Sequence, residues 1–117
     1  MSSVYKRVKD LCEALPEVTT RKSHGEDAWF VRKKMFVMTA DRHHDDRVAL
    51  WCAAPLGLQA TLVEDDPDRY FVPPYVGHRG WVGVYLDVEV DWDEVAEIID
   101  DAYRSVAPAR LAARLTE

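Results

Sequence analysis

Val4, Val8, Leu11, Cys12 and Leu15 recur at spacings of three and four, which predicts an opening helix from about Ser3 to Leu15. Pro16 closes it, because the residue before a proline is pushed out of the helical region. Glu17 to Gly25 shows no apolar period and reads as a polar connection. Ala28-Trp29-Phe30-Val31 is a run of strand formers, broken by Arg32-Lys33-Lys34 and resumed by Met35-Phe36-Val37-Met38. The pattern predicts a hairpin with Lys33 and Lys34 at its tip, although no Gly or Asn is present to define the turn. Asp41 to Asp46 is a second polar turn, and Val48 to Cys52 is a third strand, completing a meander.

Pro55 suits the first turn of a helix whose inner stripe is Leu58, Leu62 and Val63, ending at Asp66-Pro67. Tyr70-Phe71-Val72 is a short strand. From Trp81 to Leu86 the chain alternates strictly, with Trp81, Gly83 and Tyr85 on one face and Val82, Val84 and Leu86 on the other. The last helix is the best-marked element. Asp91 is its N-cap, Glu94 completes a capping-box pair, and Val90 and Val95 stand where a hydrophobic staple requires them. Trp92, Val95, Ala96, Ile99, Ala102, Tyr103 and Val106 form its inner stripe, so Trp92 is expected in the core. Pro108 interrupts, and Ala109 to Leu115 is a short extra helical turn.

The order is α-β-β-β-α-β-β-α. It predicts an α+β two-layer sandwich with a five-stranded antiparallel sheet and helices on one side. The other sheet face is then partly open. The 117 residues suffice for one core and are read as a single domain, 1–117. No apolar run nears the roughly 20 residues of a membrane span, and the N-terminus lacks a signal-type apolar segment, so a cytoplasmic location is the default expectation. Monomer is the default oligomeric state. Cys12 and Cys52 each fit an apolar face and are read as buried thiols.

The net charge of −6 argues against a generic polyanion binder. The charge is uneven, however. Residues 21–47 hold seven basic against five acidic side chains, with His24, His43 and His44 in addition. Residues 87–101 hold eight carboxylates and no basic residue, and read as a solvated, self-capped helix face.

Several constellations carry candidate chemistry. His43-His44-Asp45-Asp46 has metal-ligand residue types, but adjacent histidines on an extended chain point to opposite sides, and a solvated turn is the expectation. No metal or cofactor is expected. Cys52 lacks the flanking pattern of a nucleophile, Asp65, Asp66 and Asp68 fit a helix end around Pro67, and no catalytic residue is assigned. Gly77-His78-Arg79-Gly80, leading into Trp81, could hold an anion with backbone N–H groups and Arg79, or serve only as a turn that needs glycine. Trp29, Trp51, Trp81, Tyr75 and Tyr85 are core candidates. Any of them left on the open face beside Arg32, Lys33, Lys34 and Arg79 would form a stacking platform.

With these elements placed, the chain resembles the MmcQ/YjbR family. The matching stretches are Leu15 to Thr19, the aromatic hairpin from Trp29-Phe30 to Met35-Phe36, Asp66 to Phe71, and above all Tyr75 to Asp87. Many relatives have a glycine at the hairpin tip where this chain has Arg32-Lys33-Lys34. The resemblance implies small bacterial domains with a secretion-chaperone-like or double-wing sandwich, and a DNA-binding role. The contact expected for DNA uses Arg32, Lys33, Lys34, Arg42, Arg47 and Arg79. A protein or peptide surface is an alternative. So is a small-molecule or anion site, or an unrecognised enzyme, at Gly77, His78, Arg79, Gly80 and Trp81.

Overall fold

The computed structural model describes residues 3–43 and 45–116. The elements in chain order are α1 (Ser3–Glu13), β1 (Val18–Ser23), β2 (Glu26–Val31), β3 (Lys34–Asp41), β4 (Val48–Cys52), α2 (Leu58–Asp65), β5 (Tyr70–Phe71), β6 (Val82–Tyr85), α3 (Trp92–Val106) and α4 (Ala109–Ala113). A 3-10 turn covers Gly77–Arg79. The strands form one antiparallel sheet in the order β1-β2-β3-β4-β6-β5. The architecture is the expected α+β sandwich with one correction: the sheet has six strands, because Val18 to Ser23 is a strand and not a connection. It pairs with β2 from Val18↔Val31 to Ser23↔Glu26. As an edge strand it is exposed over Thr19 to Lys22, so it carries no apolar alternation to mark it.

The helix layer lies on the face of Trp29, Phe36 and Val37. Trp29 donates its indole N–H to Glu13 of α1 at 3.0 Å, and Phe36 packs edge-on against Tyr103 of α3 at 5.6 Å between centroids. The β2–β3 register explains why adjacent Phe36 and Val37 both face the helices. Trp29 pairs with Val37 but Phe30 pairs with Met35, which leaves Phe36 as a bulge residue. The bulge keeps Met35 and Met38 on the opposite face.

In α3 the Asp91 side chain accepts from the Asp93 and Glu94 N–H groups, as its N-cap position predicts. Val95, Ile98, Ile99, Ala102 and Tyr103 are buried. Burying each of the larger aliphatic side chains, Val95, Ile98 and Ile99, stabilises by roughly 1.5–3 kcal/mol. Tyr103 keeps its hydroxyl satisfied by donating to the Pro16 carbonyl at 2.8 Å. Trp92 departs from expectation. It sits in the first helical turn, half-buried, with the Arg7 guanidinium 4.7 Å from its ring centroid. Ile98 takes the inner position instead. Helix α2 begins later than Pro55 suggests, at a left-handed Gly57 cap (φ 91°), and buries no residue fully. Among the described residues, no helix is long and apolar enough to cross a membrane.

Candidate ligand-binding face

The β2–β3 hairpin ends in a two-residue turn made by Arg32 (φ 50°) and Lys33 (φ 69°). Both lie in the left-handed region, the primed hairpin geometry that Asn and Gly ordinarily supply. Lys34 is not at the tip but opens β3. Arg32 donates from Nε to Glu17 at 2.9 Å. That bond holds the Glu17 carboxyl below its usual range, with Arg110 and Arg114 adding to the effect. Glu17 thus sits among three arginines, two of them from the C-terminal helical turns.

Beside the turn, Lys33, Lys34 and Arg79 line a cleft of about 510 Å³ with Phe30, Met35 and Trp81; the end of α3 closes it at Ser105 and Val106. The Arg79 guanidinium stands 5.5 Å from the Trp81 ring centroid. Lys22, Arg32, Arg42, Arg47, Arg69 and Arg104 each have a carboxylate partner. Among the described residues, Lys33, Lys34 and Arg79 form no ion pair. The structure therefore joins the hairpin to the Gly77–Gly80 segment, two candidates that lie more than forty positions apart in the chain.

In the Gly77–Gly80 turn most backbone N–H groups are already engaged. The N–H groups of Gly77, Arg79, Gly80 and Trp81 donate to Pro73, Val76, Gly77 and Val76 within the turn. The Gln59 side chain donates to the carbonyls of Gly77 and Trp81 at 2.7 and 2.6 Å, clamping the loop to α2. Gly80 has φ 87°, a geometric need for glycine. His78 is exposed and lines neither of the two clefts on this face. What the turn offers an anion is chiefly the Arg79 side chain.

Arg42 and Arg47 lie at the other end of β3, roughly 23 Å from the hairpin at a strand rise of about 3.3 Å per residue. Arg47 makes two 2.8 Å bonds to Asp87 and lies over the Tyr85 ring at 3.7 Å. Asp87, which also accepts from the Val48 N–H, is held below the usual carboxylate range chiefly by Arg47. These two arginines do not share a surface with Lys33 and Lys34.

A second cleft, of about 500 Å³, opens on the face turned away from α1 and α3. Met35, Met38, Trp51 and Val76 give it apolar walls, Tyr75 stands at its exposed rim, and His43, Ser23 and His24 complete it. His43 is held by Glu26, a carboxylate only 8% exposed, at 3.2 Å from Nδ1. Glu26 also accepts from the Thr39 hydroxyl at 2.8 Å and from the Asp41 N–H. The His43 ring meets Trp51 edge-on at 5.7 Å. Of the expected aromatic platform, Trp29, Trp51 and Trp81 are buried, Tyr85 is half-buried, and Tyr75 is exposed. Met35 lines both clefts.

His44 lies outside the described residues. Among the described ones, no group of three metal-type ligands converges. Cys12 and Cys52 are buried, and burial pushes both thiols up, so they stay protonated and unreactive. Arg110, Arg114 and the Glu26–His43 pair escape a sequence reading, since each acquires its neighbours only through the tertiary fold. Arg110 and Arg114 carry one visible signal: one cation in, and one directly after, a short helix otherwise rich in alanine.

A six-stranded antiparallel sheet with helices on one face defines a small α+β sandwich domain. The YjbR family model matches residues 13–105, and the chain belongs to the YjbR family. The crystal structure of Deinococcus radiodurans protein DR2400, described as a DUF419 domain, superposes with a TM-score of 0.76 at 16% identity. The match covers 96% of this chain and 87% of that one, and the likeness is one of fold. No curated protein matches the sequence.

Proposed function

We propose that this YjbR-family domain is a non-catalytic binding module that takes an anionic ligand at its hairpin end, with nucleic acid as the ligand the family resemblance implies. One observation carries the reading: Lys33, Lys34 and Arg79 converge on one cleft, and among the described residues no carboxylate lines it or pairs with them. Arg32, Arg110 and Arg114 gather close by around the single carboxylate of Glu17. Two of these cations sit at positive φ, a conformation that costs about 1 kcal/mol or more in a non-glycine residue. Strain tolerated at Arg32 and Lys33, where Asn-Gly would relieve it, is consistent with selection for their charge. The reading as a binder, not an enzyme, is supported by the burial of Cys52, the one nucleophile candidate. The concave apolar cleft favours a second reading, a binder of small molecules.

The test is a fluorescence-anisotropy titration with single-stranded and duplex oligonucleotides at low and moderate salt. Wild-type protein should bind weakly, with affinity falling by a log–log slope near −0.9 per phosphate contacted. Lys33→Glu/Lys34→Glu should abolish binding without changing the fold, because both side chains are exposed. No binding at low salt, where phosphate contacts are most favourable, overturns the nucleic-acid reading. Binding unchanged in the double variant overturns this surface.

A further inference from the structure

We infer that the cationic cleft and the apolar cleft are one site, joined at Met35, and that its ligand is a planar aromatic anion. The inference rests on the proposed anion role of Lys33, Lys34 and Arg79, and extends it by assigning the ligand an aromatic body. Met35 forms a wall of both clefts, and in sequence it directly follows Lys34. The bulge at Phe36 produces this arrangement, since it keeps Met35 and Met38 on one face while the intervening residues turn toward the helices. The apolar part is about 500 Å³, within the range of small-ligand pockets. Its walls are two thioethers and an indole, and sulfur and ring edges together suit a flat aromatic guest.

The far wall is fixed in advance. His43 is held by a buried carboxylate that is itself bonded to Thr39 and to the Asp41 backbone, so the cleft does not depend on a ligand to form. Charge complementarity selects the guest. At its Met35 end the apolar cleft adjoins the cleft that carries three cations without ion-pair partners among the described residues, while its own polar lining, Ser23, His24 and His43, includes no Lys or Arg. A neutral aromatic leaves those cations unused, and a bare phosphate leaves the apolar walls uncovered. A ring joined to an acid group satisfies both. A nucleobase with its phosphate and a free aromatic acid share that chemistry.

The experiment uses full-length protein and three probes: 1-anilinonaphthalene-8-sulfonate, its uncharged relative N-phenyl-1-naphthylamine, and inorganic phosphate. Dye fluorescence reads the first two, and calorimetry reads the third. The sulfonate should bind at least about tenfold tighter than either other probe, and more weakly as salt rises. Lys33→Glu/Lys34→Glu should bring the sulfonate down to the level of the neutral dye and leave the neutral dye unchanged. Ser23→Phe, on the rim of the apolar cleft, should remove both dyes and spare phosphate. Its melting temperature should match wild type, which separates cleft filling from misfolding.

Equal binding of the two dyes, insensitive to charge reversal, overturns the joined site. Phosphate or oligonucleotide binding without dye binding overturns it as well, but leaves the anion reading standing. Failure of all three probes and of oligonucleotides removes both. Displacement of the sulfonate by a short thymidine strand, and not by an abasic strand of equal length, assigns the ring to a nucleobase. Displacement by neither strand assigns it to a free aromatic acid.

Discussion

Gly83 shows how a single residue on this sheet is constrained. It pairs with Trp51 on one side and Phe71 on the other, and a Cβ built on it would lie inside van der Waals contact with the Phe71 ring. Phe71 in turn stacks on Tyr85 at 4.5 Å. Gly83→Ala must therefore displace a packed ring, and should cost about 1–3 kcal/mol in chemical denaturation. Gly80→Ala meets no atom within 4 Å, but its φ of 87° strains any L side chain, at a cost of about 1 kcal/mol. Replacing Phe71 with Leu should relieve the Gly83 variant and leave the Gly80 variant unchanged, which separates crowding from backbone strain. The alternation of Trp81, Gly83 and Tyr85 makes crowding at Gly83 legible in the sequence. It does not name Phe71, because cross-strand register is set by tertiary pairing. Trp92 fails for a related reason. The apolar period admits it to the inner stripe, but its place at the helix start leaves one face to Arg7 and solvent.

At the scale of elements, the hairpin sets stability against charge. Lys33 carries the more positive φ of the two turn residues and has no ion-pair partner among the described residues. Lys33→Gly should therefore raise stability by about 0.5–1 kcal/mol while keeping the Arg32–Glu17 pair. The same variant should bind anions more weakly. A melting temperature that falls would show that the lysine stem packs on the cleft more strongly than its backbone is strained. The hairpin was legible in the two apolar runs, while the turn type was not, since Arg and Lys give no primed-turn signal. The missing sixth strand has a physical origin too. β1 buries neither face deeply, so its only local mark is the β-branched run Val18-Thr19-Thr20. The last helix, by contrast, carries its cap and most of its stripe within its own residues: Val95, Ile99, Ala102 and Tyr103 are buried as the period predicts, while Trp92, Ala96 and Val106 are only partly buried and Ile98 takes an inner place the pattern does not mark.

Across the whole molecule, the net charge of −6 conceals two ends of opposite character. β3 and α3 both connect them. One end holds Lys33, Lys34, Arg79 and the arginines around Glu17; the other holds Asp41, Asp45, Asp87, Asp91 and Asp93, where α3 begins. Linear charge counts blur this, because Arg42 and Arg47 lie close in sequence to the hairpin yet fold to the acidic end. Arg42→Glu/Arg47→Glu should consequently leave anion binding close to wild type, in contrast to the lysine pair, while lowering stability through the loss of the Arg47–Asp87 bonds. Asp87→Asn offers the pH check on the same bond. The Asp87 carboxyl titrates below its ordinary range in the folded chain, so its contribution is present above the unfolded-state value and is lost as pH falls through the folded one. The destabilisation by Asp87→Asn should then be full near neutral pH, begin to shrink below about pH 4, the ordinary carboxylate value, and be lost once pH falls past the lower value of the folded chain, where wild-type Asp87 also becomes neutral. Thermal melts of both proteins between acid and neutral pH measure this. A difference that stays constant into acid would mean that the Asp87 charge contributes nothing beyond its hydrogen bonds. Anion binding abolished by the Arg42/Arg47 reversal would mean that the two ends act on the ligand together, and would return those arginines to the contact surface.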